Sequence, residues 1–282
     1  MNDSSHRPPA EPAVGQKTTG RTNDPAPAGR HIPVLLYHSV SAEPAESIAD
    51  FSVTPAEFEH HVAAIAASGR EAVGFGELAS RLQTGRNLTN LVCVTFDDGW
   101  RDNLAAAEVL AAAEVPATIY VTSGYLERPR MLAAGELREF AELPGIEIGA
   151  HSVTHPHLDE IRRDRLQGEI PESKRRLEDL LGRAVSTFAY PHGAYDNRVR
   201  AAVIDAGFSS AAAVKNALSH PRDDRFAVAR WTVTRDHTAD DVRAILDGDG
   251  APLAWRSQRL RTRGYRVVRK VRRRLAVIDT GA

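Results

Sequence analysis

Two short stretches of this chain carry side chains suited to holding a cation and moving a proton beside it. Thr95-Phe96-Asp97-Asp98-Gly99 sets two adjacent carboxylates at the end of an apolar run, followed by glycine. Side chains alternate along a strand, so at least one of the two faces the interior or the mouth of the fold. Without a function, the pair reads as a helix N-cap and a solvated neighbour. His151-Ser152-Val153-Thr154-His155 sets two histidines four apart, a spacing at which both imidazoles reach one cation. Taken singly, that spacing fits a solvated turn equally well. Together, two imidazoles and one carboxylate make a three-ligand site with open positions, the arrangement of a catalytic metal. The second carboxylate is then free to act as a base. Iron oxygenases use the same ligand set, but a spare carboxylate suits hydrolysis better. His157 lies close by, with capping or solvation as its expected role.

For these groups to meet, the strands that carry them must end on one rim. Short apolar runs at residues 33–37, 71–73, 91–96, 117–121, 146–150, 187–190, 208–212 and 228–233 alternate with helical patterns, the signature of βα units. Thr54-Pro55-Ala56-Glu57 reads as a capping box with proline at the first helical position, opening a helix that stops at Gly69. Further helices are expected over 103–114, ended by Pro116, and over 158–181, bent or interrupted near Pro171. Another is expected over 197–206, ended by Gly207. This pattern predicts one barrel-like α/β domain over residues 31–250, and in βα barrels the strand C-termini are where chemistry is done.

The rest of the composition narrows the choice. With 36 Lys+Arg against 37 Asp+Glu, the net charge of -1 provides no field that would favour nucleic acid. Cys93 is the single cysteine, which excludes an intramolecular disulfide and a thiolate cluster; in Leu91-Val92-Cys93-Val94 it reads as a small buried hydrophobe. Residues 1–30 are rich in Pro, Ala, Gly, Ser and Thr and predict a disordered tail. Neither an apolar signal region nor a membrane-length apolar run is present, so the expected location is cytoplasmic or peripheral to the membrane. Residues 251–282 form a basic amphipathic segment. Across 255–274, basic residues alternate with Trp255, Leu260, Tyr265, Val267, Val268 and Val271. A helix of that kind lies on an anionic membrane surface or packs its apolar stripe on the barrel.

The motifs resemble, in order and spacing, those of the NodB-homology polysaccharide deacetylases (carbohydrate esterase family 4). The double-aspartate pentapeptide resembles the first motif and the His-x-x-x-His stretch the second. Phe188-Ala189-Tyr190-Pro191-His192-Gly193 resembles the third. The resemblance implies a distorted (β/α)7-type barrel that removes N-acetyl groups from an N-acetylated sugar, a polysaccharide or a lipid-linked glycan. It makes Asp97 the general base, and Asp98, His151 and His155 the ligands of one divalent ion: zinc first, then cobalt, iron, manganese or nickel. Such an ion lowers the pKa of water from 15.7 to about 7. An O-acetyl esterase with the same apparatus and an inactive glycan-binding scaffold are the alternatives.

Two departures from the family pattern matter. Ala189 stands where the fullest third motif carries an arginine that orients the base. Arg230, in Ala229-Arg230-Trp231, is the candidate to supply that guanidinium from another strand, with a surface arginine the alternative. His192 stands where the motif often has tyrosine, whose backbone N–H contacts the oxyanion; a backbone donor survives that change. Tyr190 joins His192 and Arg230 as a candidate oxyanion or substrate residue. The C-terminal Leu-x-His that usually brings the general acid is absent after residue 237. Instead Pro33-Val34-Leu35-Leu36-Tyr37-His38-Ser39-Val40 resembles the N-terminal Tyr-His motif of the permuted branch acting on poly-N-acetylglucosamine exopolysaccharides, which makes His38 the expected acid.

Overall fold

A parallel strand covered on both faces must be apolar almost throughout, and all six residues from Leu91 to Phe96 are buried. The structure is a computed structural model and describes residues 31–254. The expected tail over 1–30 and the basic segment over 255–274 lie outside the described residues. In chain order the elements begin with strands β1 (Val34–Tyr37), β2 (Ser39–Val40) and β3 (Ser52–Val53), then α1 (Pro55–Ala67), β4 (Glu71–Ala72), α2 (Phe75–Thr84) and β5 (Leu91–Phe96). Next come α3 (Asn103–Ala112), β6 (Ala117–Val121), α4 (Ala134–Ala141), β7 (Ile146–Ala150), α5 (Arg163–Glu169) and α6 (Pro171–Leu181). The last are β8 (Thr187–Ala189), α7 (Asn197–Asp205), β9 (Ser210–Ala212), β10 (Trp231–Thr232) and α8 (Ala239–Asp247).

Seven strands pair in the order β10-β1-β5-β6-β7-β8-β9, every pair parallel, with β4 alongside β5. Just before β10, Val228 bridges in parallel to Ala212 of β9. The segment from Val228 to Thr232 therefore touches both edges of the sheet and curls it into the expected distorted barrel. The two-sided contact also explains why the predicted strand over 228–233 is so short: its backbone switches partner midway.

Two apolar clusters sort the strand residues by parity. Leu91 and Cys93 of β5 join Val34, Tyr120, Ala189 and Val228 in an inner cluster closed by Phe75 and Leu78 of α2. Val92, Val94 and Phe96 face outward into the larger cluster beneath the helices. The inward series 91, 93, 95 continues to 97, so strand periodicity alone aims Asp97 into the barrel. Cys93 is fully buried, as expected.

Local chemistry sets the helix ends. The Thr54 hydroxyl accepts from the Glu57 N–H and caps α1. The box expected there is only half formed, because Glu57 turns its carboxylate to the Ala239 N–H and to His61. The predicted helix over 158–181 starts later, at Arg163, and breaks at Ile170, since Pro171 lacks the N–H to continue the ladder. Helices α2, α4 and α8 were not anticipated from sequence. No helix among the described residues is long and apolar enough to cross a membrane.

Candidate metal centre and active site

The C-terminal ends of β1, β5, β7 and β8 open on one rim and line a cavity of about 950 Å³. His38 follows β1, Asp97 and Asp98 follow β5, His151 follows β7, and His192 follows β8 by three residues. All five line this cavity, together with His155.

Asp98, His151 and His155 bring their ligand atoms within 4.8 Å of one another. The two Nε2 atoms stand 3.1 Å apart, and Asp98 Oδ1 lies 3.3 Å from His155 Nε2 and 3.7 Å from His151 Nε2. Atoms about 2.0–2.1 Å from one tetrahedral ion would be separated by about 3.3–3.4 Å, so the observed spacings fit a shared cation. Two further observations agree. His151 Nδ1 lies 2.8 Å from the Ala189 carbonyl, which fixes the N–H there and leaves Nε2 as a lone pair. Asp98 Oδ1 is buried without a hydrogen-bond donor, while Oδ2 accepts from the Trp100 indole N–H at 3.2 Å. Burial lowers the pKa of both histidines, His151 to about 3, so both are neutral as ligands must be.

The neighbouring carboxylate is set up differently. Arg230, fully buried, donates from both terminal nitrogens to the two oxygens of Asp97, each at 2.7 Å. One of those nitrogens also reaches Thr95 Oγ1 at 3.2 Å, and the guanidinium lies over the Tyr120 ring at 5.4 Å. Arg230 is thus no surface arginine; it reaches Asp97 from the segment that closes the barrel. Burial pushes the Asp97 carboxyl upward, but the charge of Arg230, with His151 and the paired hydrogen bonds, overrides it and holds the group well below the usual carboxylate range. Asp98 moves the other way: burial raises it, and Asp97 adds to the rise. Adjacent carboxylates pushed apart in this manner suit different tasks.

His38 lines the cavity with a buried Nδ1 that has no partner, and its ring lies 5.4 Å from that of Phe51. Burial lowers its pKa below the ordinary value, while Asp97 and Asp98 oppose the shift. The Asn103 amide donates to the His38 carbonyl at 2.8 Å, and Asp102 takes up the Ser39 hydroxyl and the Val40 N–H. His192 has φ 57 and sits between His155, which meets it edge-on with centroids 4.3 Å apart, and His157, which stacks on it at 3.9 Å. Behind it, Gly193 is obligatory, since a Cβ there would stand 2.6 Å from Val214 Cβ and 2.7 Å from its backbone nitrogen. His157 is therefore part of a ring stack, not a solvated turn residue.

Tyr190 corrects an expectation. Its hydroxyl donates to the Phe226 carbonyl at 3.0 Å and its ring stacks on Tyr195, so it is a core residue beneath the rim and does not line the cavity. Conversely, Glu169 at the end of α5 was not singled out from sequence. Its buried carboxylate accepts from the Val153 N–H, the Thr154 N–H and the Thr154 hydroxyl at 3.0, 2.9 and 2.5 Å, tying down the loop between the two ligand histidines. A glutamate in a charged helical stretch carries no sequence signal for such a role.

The profile of the family described as polysaccharide deacetylase matches residues 85–211, spanning the strand that ends in Asp97-Asp98 and the His151–His155 loop. Residues 85–211 therefore form a polysaccharide deacetylase domain. YxkH of Bacillus subtilis, assigned to the polysaccharide deacetylases, is 25% identical over 205 residues, 72% of this chain and 71% of that protein. The chitooligosaccharide deacetylase of Sinorhizobium fredii is 29% identical over 161 residues, 55% of this chain and 64% of that one. Among solved structures, IcaB from Ammonifex degensii superposes with a TM-score of 0.69 at 23% identity, covering 78% of this chain and 98% of that one, and supports the fold.

Proposed function

We propose that this polysaccharide deacetylase domain is a metal-dependent hydrolase that removes N-acetyl groups from an N-acetylated glycan. The observation that carries the reading is the division of labour between adjacent carboxylates. Asp98 turns an unpartnered oxygen toward the Nε2 atoms of two imidazoles, while Asp97 is clamped by Arg230 beside them. The chitooligosaccharide deacetylase among the relatives supports the substrate class.

A divalent ion held by Asp98, His151 and His155, zinc being the first candidate for this donor set, would polarise the acetyl carbonyl and lower the pKa of water toward 7. Asp97 stays ionised under Arg230 and takes the proton from water. The backbone N–H of His192, in its left-handed turn, is the donor for the developing oxyanion, while the Gly193 N–H is spent on the Tyr190 carbonyl. An amine leaves poorly unless protonated, and His38 on the cavity wall is the proton donor. The absence of arginine at 189, which favoured an inactive scaffold, is offset by Arg230.

The test is metal content, then acetate release. About one divalent ion per wild-type chain and little in a His151→Ala, His155→Ala double variant is the expected result, followed by acetate release from N-acetylglucosamine oligomers by the loaded wild type only. Equal, near-zero metal in both after incubation with zinc or cobalt would overturn the hydrolase reading.

A further inference from the structure

The cavity is charged more selectively than a neutral sugar requires. Its acidic lining is confined to Asp97 and Asp98; the first is matched by Arg230 and the second belongs to the ligand set. The lining also includes a fixed cation, Arg128. Its guanidinium carbon lies 4.4 Å from the centroid of the Tyr125 ring, which lines the same wall. Among the described residues no carboxylate is within ion-pair distance of it.

The turn that carries Arg128 is braced. The Arg128 N–H donates to the Tyr125 carbonyl at 3.0 Å, and the Met131 N–H donates to the Arg128 carbonyl at 3.0 Å. Trp100, which holds Asp98, bridges to Met131. An arginine flattened on an aromatic ring is pre-organised, so it loses less side-chain entropy when it grips an oxyanion. With no carboxylate partner among the described residues, a ligand on the cavity side can supply the counter-charge.

From this we infer that Arg128 is an anion-reading subsite, and that the glycan it serves carries a carboxylate or phosphate on the acetylated sugar or the unit beside it. This rests on the deacetylase reading and narrows its substrate class. The same electrostatics disfavour a cationic neighbour, so a unit already converted to an amine is a poor flank for the next turnover.

The experiment compares three probes on the metal-loaded full chain: a neutral N-acetylglucosamine oligomer, a disaccharide of N-acetylglucosamine and N-acetylmuramic acid, and N-acetylglucosamine 1-phosphate. The expected result is a kcat/KM about tenfold higher for at least one anionic probe than for the neutral one, the size of one charge-assisted contact. The gain should reside in KM and shrink with added salt. Arg128→Gln should erase it and leave the neutral substrate unchanged, and Arg128→Lys should keep part of it. Equal turnover of neutral and anionic probes, or an Arg128→Gln variant that loses both alike, overturns the subsite while the deacetylase reading stands. No acetate from any probe sinks that reading, and this one with it.

Discussion

Replacing Arg230 with glutamine should leave Asp97 buried without a counter-charge, and the structure sets the size of the effect. Arg230 is fully buried and both of its contacts to Asp97 are 2.7 Å. Breaking a buried pair from one side costs about 3–5 kcal/mol. For a domain of this size, 1 kcal/mol moves the melting temperature by about 2–4 °C, so the expected drop is roughly 6–20 °C at pH 7. The pH dependence gives the sign. In the native chain the Asp97 carboxyl lies below its unfolded value of about 3.9. The pair's contribution is therefore complete above that pH and is lost as pH falls toward the folded value. In Arg230→Gln, burial is no longer opposed by the guanidinium and lifts the carboxyl above its unfolded value, so stability is lost as pH rises past about 4. The gap between the two proteins should widen from pH 4 to pH 7. Circular dichroism melts of chelated protein, where no metal contributes, would measure it. An Asp97→Leu, Arg230→Met variant, which removes both charges, should recover most of the loss. A gap under about 2 °C at pH 7, or one that stays constant with pH, would refute the pairing as the device that holds Asp97.

Glu169→Ala should lower metal affinity about 10–100-fold without touching a ligand, because the loop between His151 and His155 loses three hydrogen bonds. Metal titration would read this, and Glu169→Gln, which can still accept, should lose less. His38→Ala should bind metal as the wild type does yet lower kcat about 10²–10⁴-fold. An unchanged kcat would remove His38 from proton transfer to the amine.

The parts of the site legible in the sequence were those governed by local rules. Strand parity and a glycine after two aspartates were enough to bring Asp97 and Asp98 to a strand end, and β5, β6 and β7 begin and end where their apolar runs do. Arg230 was legible only as a candidate, because its partner lies 133 residues away and a lone arginine carries no mark of burial. Helix α8 carries a Thr238–Asp241 capping box, a signal that is written in the sequence. Helix α2 was harder, since it opens on Gly74 with no side-chain cap. Its N-terminus is held instead by Thr118 and Glu147, whose side chains accept from the Phe75 and Gly76 N–H groups inside the barrel.

What the sequence hides most completely is the backbone strain at the rim. Asp98, Ser152, His155 and His192 all have φ between 57 and 76, a region that disfavours side chains with a Cβ and costs of order 1–3 kcal/mol per residue. Glycine would announce such a turn; aspartate, serine and histidine do not. The contacts that hold these residues there come from elsewhere in the fold: the Ser152 hydroxyl on the His155 N–H, Glu169 on the intervening amides, and the tight approach of Gly193 to Val214. Four strained residues at the rim, two of them metal-ligand candidates and three of them lining the cavity, are best explained by the position each side chain must take. An extended residue 98 would continue the alternation of β5 and turn its carboxylate away from Asp97's side of the sheet. The left-handed turn brings both carboxylates to the same mouth, and the chemistry depends on that turn as much as on the two aspartates.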